Sequence, residues 1–212
     1  LRADRQPEFT QVDIEMSFID EEVLFDTMER LMHYVFGEVL NVKIKIPFKR
    51  MTYKEVMKKY KTDKPDLRKE TKEEYSFLWV TDFPMFGFSK EENRYLSMHH
   101  PFTSPNLDDL KFLHEKKDKV RSRGYDLVLN GTELGGGSIR ISDDKLQAEV
   151  FKALGFSENE AKQKFGFLME ALRFAPPHGG IAFGLDRWAA IMVGKDSIRE
   201  VIAFPKNKEA KD

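Results

Sequence analysis

Apolar and polar residues alternate without a break from Gln11 to Phe18. Val12, Ile14, Met16 and Phe18 form one face, and Gln11, Asp13, Glu15 and Ser17 the other. A period of two predicts a half-buried strand, whose acid and amide face suits either plain solvation or a substrate-binding floor. From Ile19 to Phe36 apolar residues recur at helical spacing, with Asp20 as N-cap, Glu21 and Glu22 in the first turn and Gly37 at the end. His33, inside this packing helix, reads as structural. Val39 to Ile46 reads as a second strand stopped by Pro47, and TYKEVMKKY after Met51 as a helix. Lys69 to Tyr75 is a charged, solvated stretch and the best candidate for an internal boundary. The aromatic run Phe77 to Phe86 predicts a buried strand ended by Pro84.

Leu110 to Ser122 mixes basic and acidic residues in a helix or loop. A helix capped by Asp143 or Asp144 then runs through Leu154, and another from Glu158 to Phe174 precedes Pro176-Pro177. A short strand from Gly179 to Phe183 meets a last helix, Leu185 to Val193, at Gly184.

The segment richest in chemistry is YDLVLNGTELGGGSIRI, Tyr125 to Ile141. Asn130-Gly131 between apolar runs signals a type I′ hairpin turn, which needs positive φ at both positions. That turn sets Leu129 opposite Thr132 and Val128 opposite Glu133. Asp126 then shares the Glu133 face at a diagonal of roughly 7 Å. Two carboxylates so placed can hold a hard divalent cation, and magnesium favours one or two carboxylates plus substrate phosphates. Gly135-Gly136-Gly137 leaves open space above the sheet. Strict alternation from Glu133 puts Arg140 on the opposite face. For Arg140 to join the acids the strand needs a one-residue bulge, most readily in the glycine run. A solvated, glycine-rich hairpin end is the plain alternative; two acids, three glycines and an arginine together weigh toward a site.

In MHHPFTSP, Met98 to Pro105, adjacent histidines cannot share a face of a regular element, so one histidine in a pocket is the reading. In GGIAFGLDRWAAIM the glycines allow close backbone approach to a flat ligand. Arg187, at a helix start, can stack on a base or grip phosphate. GLDR alone is weak evidence, equally consistent with an Asp186–Arg187 surface pair.

Composition narrows the class. The 212 residues are 41% hydrophobic and 33% charged, which excludes a disordered chain and leaves room for one large domain or two small ones. A net charge of −1 gives no overall pull toward nucleic acid. With no cysteine, disulfides and thiolate metal sites are excluded. No apolar run approaches the roughly 20 residues that span a bilayer.

Taken together, RADRQPEFTQVDIEMSF, TDKPDLR, LWVTDFPMF, MHHPFTSP, YDLVLNGTELGGGSIRI, FGFLMEAL, PPHGGIAFGLDR and IREVIAFPKN resemble the catalytic domain of bacterial-type aspartyl-tRNA synthetase. The resemblance runs nearly end to end, with order and spacing preserved. It implies an α+β fold, an antiparallel sheet flanked by helices, the class II synthetase core. It also implies a two-step reaction: aspartate and ATP give aspartyl-adenylate and pyrophosphate, and the aspartyl group then passes to the 3′ end of tRNA(Asp). No covalent enzyme nucleophile is needed, so positioning and charge stabilisation carry catalysis.

Residue by residue, the resemblance makes Gln6 an ATP contact and Phe9 the ring stacked on adenine. Asp13 lies near the substrate ammonium, and His99 closes over aspartate. Asp126 and Glu133 become magnesium ligands, and Arg140 the grip on the aspartate side-chain carboxylate. Gly184, Leu185, Asp186 and Arg187 match the third class-defining motif, with Arg187 against adenine and the terminal phosphate. A cytoplasmic homodimer is implied as well.

Some family features have no match. The second motif's opening arginine, the first motif, the aspartate-binding lysine and the N-terminal anticodon-binding domain find no counterpart. A large inserted domain expected between PDLR and LWV is replaced by Lys69 to Phe77. The expectation is therefore that residues 1–212 are part of a catalytic domain, a piece of something longer and inactive alone. Asparaginyl specificity on the same scaffold is the nearest rival, opposed by the charge of Arg140. A non-catalytic ATP- and amino-acid-binding module is the rival from another class.

Overall fold

The computed structural model describes residues 3–207 and 209–211. Leu1, Arg2, Lys208 and Asp212, at or near the limits of the expected 1–212 unit, lie outside the described residues. Strand β1 (Gln11–Ser17) leads into helix α1 (Glu21–Leu40), then β2 (Lys49–Thr52), α2 (Tyr53–Tyr60) and α3 (Arg68–Thr71). Strands β3 (Phe77–Thr81), β4 (Phe86–Ser89) and β5 (Arg94–Ser97) follow, and then the hairpin β6 (Gly124–Leu129) and β7 (Thr132–Ile139). Helices α4 (Asp144–Ala153) and α5 (Glu158–Leu172), strand β8 (His178–Gly184) and helix α6 (Leu185–Met192) complete the order. Six strands form one sheet in the order β1-β8-β7-β6-β3-β2, antiparallel throughout except at β2–β3. Strands β4 and β5 pair separately. Among the described residues no helix is long and apolar enough to cross a membrane.

Local chemistry sets most boundaries. Asp20 caps α1 through its side chain, which accepts the Val23 N–H, and Thr52 with Glu55 forms a capping box on α2. Asn130 and Gly131 take φ of 50° and 85°, the I′ turn, and pair Leu129 with Thr132 and Val128 with Glu133. Asn130 also accepts from the Ser76 N–H and donates to the Glu74 carbonyl, which ties the turn to the Lys69–Tyr75 region. His33 is structural, its Nδ1 lying 2.6 Å from the Ile44 carbonyl.

Four boundaries differ from the sequence reading. Helix α1 continues through Gly37 to Leu40, ending at Asn41 in the left-handed region (φ 55°). One glycine costs a helix about 1 kcal/mol, less than the packed stripe Leu24, Phe25, Met28, Met32 and Phe36 supplies. Val39 to Ile46 is not a strand: Val39 and Leu40 extend the helix, and Ile44 packs on the core without a ladder partner. The apolar run at Phe77 breaks at Thr81, because Asp82 adopts a φ of 53°; Phe86 then opens β4 over a second cluster with Val150 and Leu154. Phe18 leaves the apolar face of β1 with a φ of 59° and is exposed.

The two faces of the sheet are treated differently. One is covered by α1, which buries Phe25 and Met28 against Trp79, Tyr125, Leu127 and Ile181. On the other, Val56, Leu67 and Phe83 cover only the β3–β6 end, over Leu78, Val80 and Val128. This double burial explains the continuous apolar run FLWV in β3. Toward β7, β8 and β1 the second face stays open.

Candidate active site

The open face is built from registered rows across strands. Asp13 on β1 lies beside Ala182 on β8, then Gly136 on β7, Asp126 on β6 and Val80 on β3. The next row runs Glu15, Gly180, Ser138 and Gly124. Small residues in the middle leave a trough between the acids of β1 and those of the hairpin. The alternating polar face of β1 is therefore part of a floor.

The hairpin reaches this arrangement by a bulge. Val128 pairs with Glu133 but Leu127 pairs with Gly135, so Leu134 is the extra residue. The break falls between Glu133 and Arg140 as parity requires, but one step before the glycine run. Leu134, which is buried, turns into the core beside Leu127 and Phe183 and anchors the bulge there. After it, Gly136, Ser138 and Arg140 share the face of Asp126 and Glu133.

At Gly136, the position of a β-carbon would lie 2.6 Å from Asp126 Oδ1 and 3.8 Å from Glu133 Oε1. Both carboxylates thus converge over the glycine. Burial, then Glu133 and Asp63, push the Asp126 carboxyl well above the usual range, with Arg187 and Lys64 pulling the other way. Glu133 Oε1 lies 3.7 Å from Arg187 Nη1, which offsets part of the pair's charge; the remainder suits a hard cation. Among the described residues no group of three or more His, Cys, Asp or Glu converges to hold a metal. A cation here would need ligand oxygens beyond these two carboxylates.

A cavity of about 600 Å³ gathers Asp13, His99, Asp126, Glu133 and Arg140, with Arg5 and Asp63. Both histidines line it, contrary to the expectation of one, because they sit in a loop where neighbouring side chains need not diverge. The His99 ring stands edge-on to Phe83 (4.9 Å between centroids) and lies over Gly124. Burial lowers its pKa, with Glu133 opposing.

Arg140 is held on several sides. Nε and Nη2 donate to the two Glu15 oxygens at 3.0 and 3.1 Å, and Nη1 donates to Ser138 Oγ at 2.8 Å and meets His100 Nε2 at 2.6 Å. Its charge is therefore already matched by Glu15, so an incoming neutral group would not leave it unpaired.

An adjoining cavity of about 300 Å³ shares Arg5, Gln11, Glu133 and Ala182 with the first. Gln6, Phe9, Gly184, Asp186 and Arg187 line it. Gln6 is buried and its Oε1 has no protein donor; Phe9 stands exposed at the rim. Arg187, in the first turn of α6, does not pair with Asp186. Its Nη1 donates to the Glu133 carbonyl at 2.7 Å, and Nη2 lies 3.8 Å from Asp4 Oδ2. Asp186 instead accepts from the Thr10 N–H, and Leu185 donates its N–H to the Thr10 carbonyl. Leu185 lines neither cavity and serves this strand–helix join. A larger groove between α4 and α5 lies away from the sheet and contains none of the site residues expected from the sequence.

Sequence reasoning missed Arg5, Asp63, His100 and Ser138. For His100 the signal was the His-His pair itself; for the others nothing local stood out.

A six-stranded, largely antiparallel sheet with α1 packed on one face and two adjoining charged cavities on the open part of the other defines the class II synthetase core. The chain matches the family of class II tRNA synthetases (D, K and N) over residues 1–208, and it belongs to that family. It is 38% identical to an aspartate–tRNA(Asp/Asn) ligase of Caldanaerobacter subterraneus, over 99% of this chain and 57% of that protein. An aspartate–tRNA ligase of Clostridium botulinum is 36% identical over 99% of this chain and 56% of its own length. The chain thus spans a little over half the length of these relatives. In fold it is similar to an aspartyl-tRNA synthetase of Entamoeba histolytica, with a TM-score of 0.75, 22% identity and coverage of 99% of this chain and 45% of that one. It is equally similar to the asparaginyl-tRNA synthetase of the same organism in complex with asparaginyl-adenylate, with a TM-score of 0.75, 22% identity, 100% of this chain and 50% of that one.

Proposed function

We propose that this chain is catalytic-domain sequence of an aspartate–tRNA ligase, activating L-aspartate with ATP and transferring it to tRNA(Asp). The observation that carries the reading is the cross-strand row from Asp13 to Asp126, flanked by the Arg140 guanidinium. An acid, a guanidinium and a carboxylate pair around one trough support an ammonium, a carboxylate and a metal as their respective partners.

In the first step a carboxylate oxygen of aspartate bonds to the α-phosphorus while the α–β phosphoanhydride bond breaks, releasing pyrophosphate. Asp13 holds the ammonium, Arg140 the side-chain carboxylate, and His99 closes the pocket. Phe9 stacks on adenine, Gln6 accepts from the nucleotide with its partnerless buried oxygen, and Arg187 offsets phosphate charge. Gly184 and Asp186 shape the wall beside it, while Leu185 secures the helix start. Magnesium held by Asp126 and Glu133 supplies positive charge to the phosphates when bound. The protein contributes position and charge rather than a nucleophile. In the second step the 3′-terminal adenosine hydroxyl takes the aspartyl group and AMP departs.

Aspartate is favoured over asparagine by the names of the relatives at 38% and 36% identity. Arg140's charge cannot make that choice alone, since Glu15 already pairs with it. We also infer a cytoplasmic homodimer in which Lys69 to Phe77 marks the place of an inserted domain. The test is pyrophosphate exchange by the full-length protein with aspartate or asparagine, followed by charging of tRNA(Asp) and tRNA(Asn). Exchange driven by asparagine and not aspartate would overturn the assignment; absence of both would point to a binding module.

A further inference from the structure

The Nη1 end of Arg140 touches a residue with no role so far. His100 Nε2 lies 2.6 Å from it, and Ser138 Oγ 2.8 Å. An arginine can only donate, so Nε2 must present a lone pair and the ring proton must sit on Nδ1. The Phe102 N–H also reaches the ring, 3.3 Å from Nδ1; a neutral imidazole accepts at only one nitrogen, and the 2.6 Å contact from Arg140 is much the shorter of the two. The ring is fixed from other directions. Thr103 N–H donates to the His100 carbonyl, and the imidazole leans on Phe102 at 5.7 Å between centroids.

Four of the five N–H groups of Arg140 are thereby taken: two by Glu15, one by Ser138 and one by His100. One hydrogen on Nη2 remains. Glu15 is about half exposed (46%), whereas Arg140 is largely buried at 20%. The carboxylate of Glu15 is the partner that a ligand carboxylate can displace; the imidazole and the buried Ser138 are the fixed ones.

We propose that His100 is a positioning residue: its neutral Nε2 holds the Nη1 end of Arg140, so that the Nε–Nη2 edge meets the amino-acid carboxylate in a preset orientation. The inference rests on the reading of Arg140 given above. Fixing a long side chain beforehand removes an ordering cost from binding, and a misplaced guanidinium loses bidentate geometry. Protonated, the ring would present a second cation to the guanidinium and release it.

The test compares His100→Leu, His100→Gln and Arg140→Leu in the full-length protein by aspartate-dependent pyrophosphate exchange. Loss of one hydrogen bond to a charged group predicts that His100→Leu raises KM for aspartate about tenfold or more, with KM for ATP unchanged. Glutamine offers an oxygen near the Nε2 position, so His100→Gln should restore most of the loss. An unchanged KM for aspartate in His100→Leu, or equal damage in the two His100 variants, would overturn the proposal. So would a parallel rise in KM for ATP, which marks general damage. If Arg140→Leu keeps full aspartate exchange, the reading of Arg140 itself falls and this inference with it; if only the His100 variants are silent, that reading stands and this inference alone falls.

Discussion

The Glu15 carboxylate crosses Gly180 to pair with Arg140, Oε1 with Nε at 3.0 Å and Oε2 with Nη2 at 3.1 Å. A β-carbon at residue 180 would collide with Glu15 Oε2 and with the Ile14 carbonyl. Gly180→Ala must therefore push β1 away or expel Glu15 from its partner. Overpacking of this kind costs roughly 1–3 kcal/mol. A lowered denaturation midpoint is expected; a wild-type midpoint would show that the close approach is not needed.

Arg140→Leu removes the guanidinium that Glu15, Ser138 and His100 share. Truncating a largely buried, hydrogen-bonded charge costs about 3 kcal/mol, which is roughly a hundredfold in rate. Aspartate-dependent exchange in the full-length protein should fall by that order, while ATP still binds in the adjoining cavity. Calorimetric titration with ATP separates the two effects, and unchanged exchange kinetics would sink the role.

Asp126 sits against Glu133 in a place where burial already disfavours its charge. Asp126→Asn relieves that repulsion. Active-site relief of this sort stabilises by on the order of 1 kcal/mol, so melting without magnesium should move upward as exchange activity disappears. A variant that melts lower than the parent would mean the acid is held by partners rather than opposed by them.

His100 links stability to pH. Burial, then Arg140 and His99, bring its pKa down to about 4 from the usual 6.5, with Glu15 opposing. Between those values the unfolded chain binds this proton more tightly than the folded one. The group therefore erodes stability as pH falls from 6.5 toward 4, with no such contribution above that window. His100→Gln should flatten the stability curve within it. Equal slopes for variant and parent across that range would contradict the assigned neutral ring.

Much of this was legible along the chain. Asp20 as a cap, the Asn130-Gly131 turn, the polar face of β1 and the face shared by Asp126 and Glu133 all rest on contacts within a few residues or on strand period. The errors have tertiary causes. Gly37 read as a helix end because isolated glycine disfavours helices, and the apolar stripe on either side outweighed it. VKIKI alternates like a strand, yet Ile44 found its burial against α1 with no neighbouring chain to pair with.

Residue order alone thus determined the local backbone, and with it which face each side chain of β1 and of the hairpin turn could occupy. It also required a break in alternation if Arg140 was to join the acids. Only tertiary structure decided that Leu134 is the bulged residue, because the core pocket beside Phe183 selects which side chain turns inward. Only tertiary structure brought Glu15 to Arg140 and Arg187 to Glu133, pairs separated by 125 and 54 residues. Such partners meet through sheet order, β1 beside β8 beside β7, which no local period encodes.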